Sequence, residues 1–407
     1  MKNIILNRAR ERFDEFIHKY SRGFPNYIKA RYDKKPKYWL SYLQIFIFFI
    51  GGLFYATAVR LRSKRVLYYF EGSRYSSLHA LLPASQVVII GGPRELRYCR
   101  EKGYIFHWDG YIRKLFNIFY YLKVDLAFKL LTFLVRSIIG RQLGAKGRIF
   151  LFEDTVQIGV SLALILEGMS PVICIIHGAM SKPSPGCDMS VDGVISRYNL
   201  VYDEYQKNVL EGLGTVCFVM GLTHEVKKLS GFSDQIILIE QSTPDMPTEY
   251  FECLSKMEVL YKILLQNRCN VTYRSRPGVN KDLLKKKFHS LHTGDSIELL
   301  EGCRKIFIGF NSTLLYEAQF HGHVTIGLDD SGFPLMRRFE TDLIIKEISE
   351  QCVKDIIGKA LLAVRCDSKV LHDPLKVRFM SALDLIERDI ELEFNYRHLK
   401  VNTVDQC

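Results

Sequence analysis

Short apolar runs recur along the chain beyond residue 65, and amphipathic stretches separate them. Most runs have four or five residues, which is the length of a buried β-strand, and most are flanked by polar or glycine-containing turns. Alternation of strands with helical stretches is typical of βα units around a parallel sheet. The sequence therefore predicts an α/β protein with strands at Val66–Phe70, Val87–Ile90, Ile149–Phe152, Val172–Ile176, Leu200–Val201, Gln235–Ile239, Asn270–Tyr273, Lys305–Ile308 and His323–Ile326.

These strands form two groups, separated by a seam near residues 220–234. A chain of 407 residues is long enough for two or three domains, so we expect two Rossmann-like domains in tandem. Ligands of open α/β sheets bind beyond the carboxyl ends of the strands, and two such sheets create a cleft there. We expect helices near residues 248–267, 280–289, 313–321 and 345–363. The predicted organisation is a basic N-terminal segment at 1–64, domains at 65–231 and 232–365, and a closing helix with a tail at 366–407.

The segment 38–59 has 22 consecutive uncharged residues, which is long enough for a membrane-spanning helix. Gly51-Gly52 interrupts its middle, so a hairpin that enters one leaflet competes with a full span. Residues 1–37 carry eleven Lys or Arg against four acids, and residues 60–65 carry four more basic side chains. Because basic flanks prefer the cytoplasmic side, both flanks are predicted on the same side, as in a monotopic or re-entrant anchor. The alternative is a buried or partner-facing helix.

A second apolar stretch, residues 111–141, has polar side chains at helical spacings of three and four. Its basic charge beside a broad apolar face suits an interfacial helix near anionic headgroups, and it equally suits a helix that covers a sheet. The sequence leaves these two interpretations open.

Net charge points to an anionic partner. The chain carries 56 Lys and Arg against 44 Asp and Glu, giving +12. A phosphate-bearing substrate, nucleic acid and an acidic membrane surface all fit this charge. Nucleic acid is disfavoured because aromatic residues are not interleaved with Lys and Arg on a recognisable binding element. Ten cysteines without a C-x-x-C pair, and no signal peptide, favour a reducing compartment.

The candidate general bases follow predicted strands of the first domain. His177 comes directly after the run that ends at Ile176, and Gly178 would let a ligand approach the backbone. Glu71 follows the first run, and Glu153 and Asp154 follow the third. Either kind of group could deprotonate an acceptor hydroxyl, although a loop carboxylate is more often a cap or a solvated charge. Ser73 and Arg74, which come just after Glu71, are with Gly178 the candidate acceptor-binding residues.

The second domain offers candidates for phosphate binding. Asn311 or Ser312 can cap a helix whose N-terminal amides favour phosphate, and Ser312 and Thr313 add hydroxyl donors. Glu317 lies one turn further on, where a carboxylate could bind a ribose hydroxyl. The alternative is an ordinary N-cap and a core helix. Two guanidinium groups suited to bidentate phosphate contacts follow another strand, at Arg274 and Arg276.

The order of these motifs resembles that of GT-B glycosyltransferases which build bacterial surface polysaccharides, nearest to the CDP-glycerol glycerophosphotransferase and polysialyltransferase-like group. The resemblance covers about residues 65–345, and its most specific part is the run from Asn311 to Ala318. Those families commonly have His-Pro where this chain has Arg276-Pro277, so the contact that His makes there is made by Arg or is absent. The motifs are Ile176-His177-Gly178, Asp203-Glu204 with Lys207 and Gly214, Arg274 to Pro277, and Ile308 to Ala318.

The resemblance implies a nucleotide-sugar donor held by the C-terminal domain, at 232–365, and a glycan or lipid-linked acceptor over the N-terminal domain, at 65–231. It implies His177 as a catalytic residue and Ser312 and Thr313 as donor-phosphate ligands. No cofactor is expected, and no metal either, because GT-B enzymes stabilise the departing phosphate with basic side chains and a helix N-terminus.

The sequence thus predicts a membrane-associated, metal-independent glycosyltransferase of capsule or lipopolysaccharide synthesis. We expect it at the cytoplasmic face of the bacterial inner membrane, transferring a sugar or a polyol phosphate, without a nucleic-acid partner. The alternative is a non-catalytic binding protein that holds an anionic glycan or nucleotide in the same cleft.

Overall fold

A computed structural model describes most of the chain. The described residues are 43, 46–54, 66–122, 125–143, 147–152, 157–166, 169–176, 196–212, 214–240, 247–275, 281–309, 312–328, 341–366 and 373–404.

Among the described residues, seven strands form a parallel sheet in the first half of the chain. The strand order is β3-β2-β1-β4-β5-β6-β7, so the order reverses between β1 and β4. This reversal is the point at which doubly wound sheets bind their ligands. The strands are β1 (Tyr68–Glu71), β2 (Val87–Gly91), β3 (Ile105–Trp108), β4 (Arg148–Leu151), β5 (Val172–Ile175), β6 (Tyr198–Val201) and β7 (Val216–Val219).

Helices cover both faces of this sheet, because successive strand residues point to opposite sides. Tyr69 and Ile149 face one core, and Phe70 and Phe150 face the other. The helices are α1 (46–54), α2 (Ser76–His79), α3 (Pro93–Lys102), α4 (Gly110–Leu122), α5 (Asp125–Val135), α6 (Arg141–Leu143), α7 (Gln157–Leu166) and α8 (Glu204–Glu211). A π-helical turn, Arg136–Gly140, continues α5 into α6, and a 3-10 turn spans Ala84–Gln86.

The apolar stretch 111–141 forms α4 and α5, which pack together with α7 on one face of the sheet. The inward side chains of α5, such as Leu131 and Leu134, are fully buried in that core. The stretch therefore covers a sheet, which is one of the two interpretations that the sequence leaves open. No helix among the described residues is long and apolar enough to cross a membrane.

In the described part of the second half, six strands form another parallel sheet in the order β10-β9-β8-β11-β12-β13. Its order also reverses beside the first strand, β8, so both sheets have Rossmann-like topology. The strands are β8 (Phe232–Ile239), β9 (Val271–Arg274), β10 (Leu291–His292), β11 (Arg304–Gly309), β12 (Val324–Leu328) and β13 (Leu343–Ile345). The helices are α9 (Pro247–Gln266), α10 (Lys281–Lys287), α11 (Ser296–Leu300), α12 (Thr313–Phe320) and α13 (Glu350–Arg365).

Most predicted elements are found close to their predicted bounds. The predicted strand Gln235–Ile239 is the apolar end of β8, and the helix expected near 313–321 is α12. One helix needs correction: the segment predicted at 345–363 begins as strand β13, and α13 starts only at Glu350. Ser349 has the extended backbone of an N-cap residue, so the helical backbone begins at the residue after it.

The last helix, α14 (Leu375–Val404), returns to the first sheet. Its buried side chains Leu375, Phe379 and Ile386 pack in the core that contains Phe150. Phe379 is fully buried, and its ring lies 5.9 Å from that of Phe150 between centroids. The closing helix predicted from the sequence therefore covers the N-terminal sheet, although it follows the C-terminal sheet in the chain.

Candidate functional site

Arg74 lies at the carboxyl end of β1, beside the point where the first sheet reverses its strand order. Its guanidinium stacks over the ring of Phe152, at 4.4 Å from the centroid, just beyond the end of β4. Gly72 has a positive φ of 73°, which turns the chain sharply after the strand. Stacking on an aromatic face fixes a guanidinium while leaving its N–H groups able to bind an anion.

Two other predicted residues lie on the same loop. Glu71 is buried, with 7% of its surface exposed, as the last residue of β1. The Ser73 hydroxyl lies 3.5 Å from the Glu95 carboxylate, and this carboxylate accepts a hydrogen bond from the backbone N–H of Gly92 at 3.0 Å. Ser73 is thereby turned toward the start of α3.

Arg274 ends β9 and is buried in the second half of the molecule. Its guanidinium donates to the hydroxyl of Ser296 at 2.7 Å and to the backbone carbonyl of Ser275. These bonds orient a fork of N–H donors at the carboxyl edge of the sheet. A planar guanidinium held in this way is suited to a phosphate or carboxylate.

The N-terminus of α12 lies at the same edge, after β11. Ser312 has extended backbone, and its hydroxyl oxygen accepts from the backbone N–H of Leu314 at 3.2 Å, so this residue is the N-cap. The hydroxyl proton is still available for donation to an anion. Thr313 is the first residue of the helix and is partly exposed. The helix start thus has the donors and the dipole orientation that favour a phosphate.

Glu317 is the residue at which charges from both halves converge. Burial raises the pKa of its carboxyl to about 7. The positive charges of Arg74 and Arg274 oppose that shift, and the negative charge of Asp295 adds to it. Arg74 belongs to the first sheet and the other groups belong to the second. The charges of two predicted site residues, Arg74 and Arg274, therefore act on a third, Glu317, across the interface between the sheets.

The two halves meet directly beside this cluster. The hydroxyl of Tyr316 donates to the Asp203 carboxylate at 2.8 Å, and the rings of Tyr202 and Tyr316 stack at 5.7 Å between centroids. The other carboxylate oxygen of Asp203 accepts from the Gln206 N–H at 2.8 Å and caps α8. Burial raises the pKa of both tyrosines, so their hydroxyls stay protonated.

A histidine pair lies further along the same interface. Nε2 of His224, in the segment between the sheets, is 3.1 Å from Nε2 of His321, next to α12. Burial, followed by the charge of Arg378, lowers the pKa of His224. Arg378, from α14, donates to the backbone carbonyls of Met220, Leu222 and His224 at 2.6–3.0 Å. The connecting segment is thus fixed by both the second sheet and the last helix.

Six predicted site residues lie outside the described residues: His177, Gly178, Glu153, Asp154, Arg276 and Asn311. Their roles remain predictions. Among the described residues, no group of three His, Cys, Asp or Glu side chains could hold a metal ion.

Four contributors to the site were not predicted. Phe152 positions Arg74, Ser296 positions Arg274, and Tyr202 and Asp295 lie in the electrostatic environment of Glu317. Each comes shortly after a strand, which is the one signal that could have pointed to them. Asp203 and Tyr316 lie within the motifs that carry the resemblance, but their contact with each other has no sequence signature.

Several solved structures are similar to this chain. The UDP-GlcNAc 2-epimerase of Methanocaldococcus jannaschii superposes with a TM-score of 0.50 at 12% identity, covering 79% of this chain and 99% of that one. The UDP-GlcNAc 2-epimerase of Neisseria meningitidis, bound to UDP-GlcNAc, gives 0.48 at 12% identity, with coverages of 81% and 100%. Spinosyn forosaminyltransferase SpnP gives 0.42 at 10% identity, with coverages of 81% and 95%.

The fold is GT-B-like. Two Rossmann-like sheets face each other across a cleft, as the sequence predicts, and the M. jannaschii epimerase shares this arrangement over nearly its whole length. No protein-family model matches the chain. No curated protein matches it in sequence either.

Proposed function

We propose that the chain is a GT-B glycosyltransferase that uses a nucleotide-activated donor. The observation that carries this proposal is the placement of Arg74, of Arg274 and of the start of α12 at the carboxyl edges of the two sheets. The charges of both arginines act on Glu317 of α12. Two guanidinium groups and a helix N-terminus suit a diphosphate, and a carboxylate suits ribose hydroxyls. The resemblance of the motifs to polysaccharide-building enzymes supports the same donor class.

The reaction is a displacement at the donor's anomeric carbon. The acceptor hydroxyl oxygen bonds to that carbon, the bond from the carbon to the phosphate oxygen breaks, and the nucleotide leaves with the electron pair. The proton of the acceptor passes to a base, for which His177, Glu71, Glu153 and Asp154 are the candidates. The charge on the departing phosphate is stabilised by Arg274, Arg276, Ser312 and Thr313.

The acceptor we propose is a surface polysaccharide or a lipid-linked glycan, bound over the first sheet near Ser73, Arg74 and Gly178. Transfer of a polyol phosphate in place of a sugar would use the same phosphate ligands. The proposed location is the cytoplasmic face of the bacterial inner membrane, with peripheral or monotopic attachment.

A thermal-shift screen of the purified full chain against CMP-, CDP-, UDP- and GDP-linked sugars tests the donor site. A ligand at about 100 times Kd adds roughly 2.7 kcal/mol of stability. We expect one nucleotide class to stabilise the protein, and Ser312→Ala and Arg276→Ala to abolish that effect. Arg365→Ala is the matched control. Arg365, on α13, lies 5.8 Å from the ring of Phe232, which is the first residue of β8 and therefore lies at the opposite edge of the sheet from the site. Absence of a shift with every nucleotide would refute the donor site.

The alternative function is non-catalytic binding of an anionic glycan or nucleotide in this cleft. Incubation with the stabilising nucleotide sugar and chromatographic analysis of the products separates the two functions. Donor hydrolysis or transfer that is lost in His177→Ala or Glu71→Gln supports the transferase. Unchanged donor, with binding intact, supports the binding protein, and an isomerised donor sugar points to epimerase chemistry on the same fold.

A further inference from the structure

In the part of the chain that the structure describes, the outer surface of α1 and α5 forms an apolar face that the folded core does not cover. Leu43, Ile47, Ile50 and Phe54 follow one another at spacings of four, three and four residues, which is the spacing of one helical stripe. Leu43, Ile47 and Phe54 are 55%, 54% and 74% exposed. Phe46, beside this stripe, is 62% exposed.

The opposite side of α1 is committed to the protein core. Gly52 lies so close to Leu134 of α5 that a Cβ atom there would come within 2.6 Å of the leucine side chain. The ring of Phe48 lies 6.3 Å from that of Trp108, and Phe49 and Leu53 pack on the same core. These contacts fix which face of α1 points outward. They also hold α1 along the protein surface.

α5, the helix against which α1 packs through Gly52 and Leu134, also carries exposed apolar side chains. Leu126 and Phe133, two turns apart on that helix, are 53% and 50% exposed. Both lie about a quarter turn around α5 from Leu134. Two adjacent helices thus present large exposed apolar side chains, and exposed apolar surface of this kind marks a site of association.

The charges around this face indicate which kind of surface binds to it. Between residues 110 and 143 the sequence has six Lys or Arg and one acid. Exposed members of this group, Arg113, Lys114, Lys129 and Arg141, lie on the same helical layer as the apolar face. An apolar surface with basic surroundings suits a bilayer whose headgroups are anionic, because the apolar side chains enter the acyl boundary while the cations meet the headgroups.

We propose that this face of α1 and α5 is the site at which the protein docks, in plane, on an anionic lipid bilayer. Ile47 and Phe54 of α1 and Phe133 of α5 enter one leaflet, and Lys129 contacts the headgroups. The inference rests on the membrane location given under the proposed function and is independent of the donor chemistry. Vesicle binding therefore fails or succeeds separately from nucleotide binding.

Co-sedimentation of the full chain with vesicles tests the proposal. The vesicles contain phosphatidylcholine alone or phosphatidylcholine with phosphatidylglycerol. We expect binding to the anionic vesicles that weakens with salt, and roughly a tenfold or larger loss of partitioning in the double variant Ile47→Ser/Phe54→Ser. Lys129→Gln should reduce binding to the anionic vesicles only. The matched control, Val259→Ser/Leu362→Ser, removes two exposed apolar side chains of the second half, which are 49% and 68% exposed, and should bind as the parent protein does.

Several results would overturn the docking site. They are failure of the parent protein to bind anionic vesicles, equal binding to neutral vesicles, and unchanged binding of Ile47→Ser/Phe54→Ser. Light scattering of the same proteins tests a second copy of the chain as the occupant. A parent dimer that this variant converts to a monomer, without vesicle binding, would assign the face to self-association. An unchanged melting temperature of the variants shows that they are folded.

Discussion

The phenol of Tyr316 donates a hydrogen bond to the carboxylate of Asp203 at 2.8 Å, and this bond joins the two halves of the molecule. Asp203 stands just beyond β6 of the first sheet, and Tyr316 lies in the first turn of α12 of the second. Glu317, the next residue, is part of the candidate donor site. The hydrogen bond therefore links the position of α12, and with it the donor phosphate ligands, to the first sheet.

Removal of the Tyr316 hydroxyl should measurably lower the free energy of unfolding. Tyr316→Phe deletes one hydrogen bond to a carboxylate, which contributes about 1.5–3 kcal/mol to the free energy of unfolding. Urea denaturation measures the loss. Asp203→Asn keeps the cap on α8, because Asn and Asp cap helices about equally well. In a double-mutant cycle we expect the effects of the two variants to be non-additive by more than about 0.5 kcal/mol, and strict additivity would contradict the bond.

Glu317 should make stability depend on pH. Its pKa is about 7 in the folded protein and near 4.5 when unfolded, so the folded state holds the proton more tightly. As pH rises from about 4.5 to 7, the folded state must carry a partly buried charge, and stability falls relative to a neutral side chain. Glu317→Gln lacks this loss. Thermal melts at several pH values should show the free energy of unfolding of this variant rising by about 1–3 kcal/mol relative to the parent across this window. If the two proteins showed the same dependence of stability on pH, the raised pKa of Glu317 would be wrong.

Arg274→Lys tests whether the fork of N–H groups is needed. Lysine keeps the charge but cannot bind the Ser296 hydroxyl and an anion in the same planar geometry. We expect roughly tenfold or weaker affinity for the nucleotide donor by calorimetry. Arg365→Lys, a conservative change outside the cleft, is the control. Equal affinities of Arg274→Lys and the parent would mean that this guanidinium does not touch the donor.

Two glycines should respond to alanine in opposite directions. Gly221 has a φ of 78°, and a Cβ atom there would lie 3.1 Å from both Arg378 and Phe320. We expect Gly221→Ala to lower the free energy of unfolding by about 1–2 kcal/mol. Gly358, exposed in α13, has nothing within 4 Å of such an atom, so Gly358→Ala should add about 0.5–1 kcal/mol. Thermal denaturation of both variants measures these changes. A Gly221→Ala variant more stable than the parent would contradict the close approach of its Cβ atom to Arg378 and Phe320.

Phe379→Ala measures how much α14 contributes to the first sheet. The side chain is fully buried against Phe150, and a cavity of this kind costs about 3–5 kcal/mol. Leu362→Ala, on the exposed side of α13, should change stability by less than about 0.5 kcal/mol. If Phe379→Ala were equally mild, the contact between α14 and the first sheet would be wrong. Denaturation followed by far-UV circular dichroism provides the comparison.

The central strands of both sheets were predictable because they are buried on both faces and therefore read as unbroken apolar runs. Edge strands lack this signal. β3 contains His107 and Trp108, so it lacks the composition of a central strand. β7 is apolar in sequence, but only Cys217 of its four residues is buried. The short β10 and β13 were missed for the same reason. A local apolar pattern in the sequence indicates that a strand is buried, and edge strands are only partly buried.

The candidate site was predictable where ligand chemistry follows a strand, as at Arg274 and Ser312. What the sequence could not supply is the relation between the two halves. The charge of Arg74 acts on Glu317 although 243 positions separate them in the printed numbering, and no periodicity encodes such a pair. The N-cap role of Ser312 was one of two alternatives, and only its hydrogen bond to the N–H of Leu314 distinguishes it.

The return of α14 to the first sheet sets an order for folding during synthesis. The core around Phe70 and Phe150 is closed by Leu375 and Phe379, which the ribosome makes 225 to 309 residues later. One apolar face of the first sheet therefore stays uncovered until the second sheet has been synthesised. A nascent chain of this kind is exposed to aggregation for most of its translation, and it depends on its last helix to end that period.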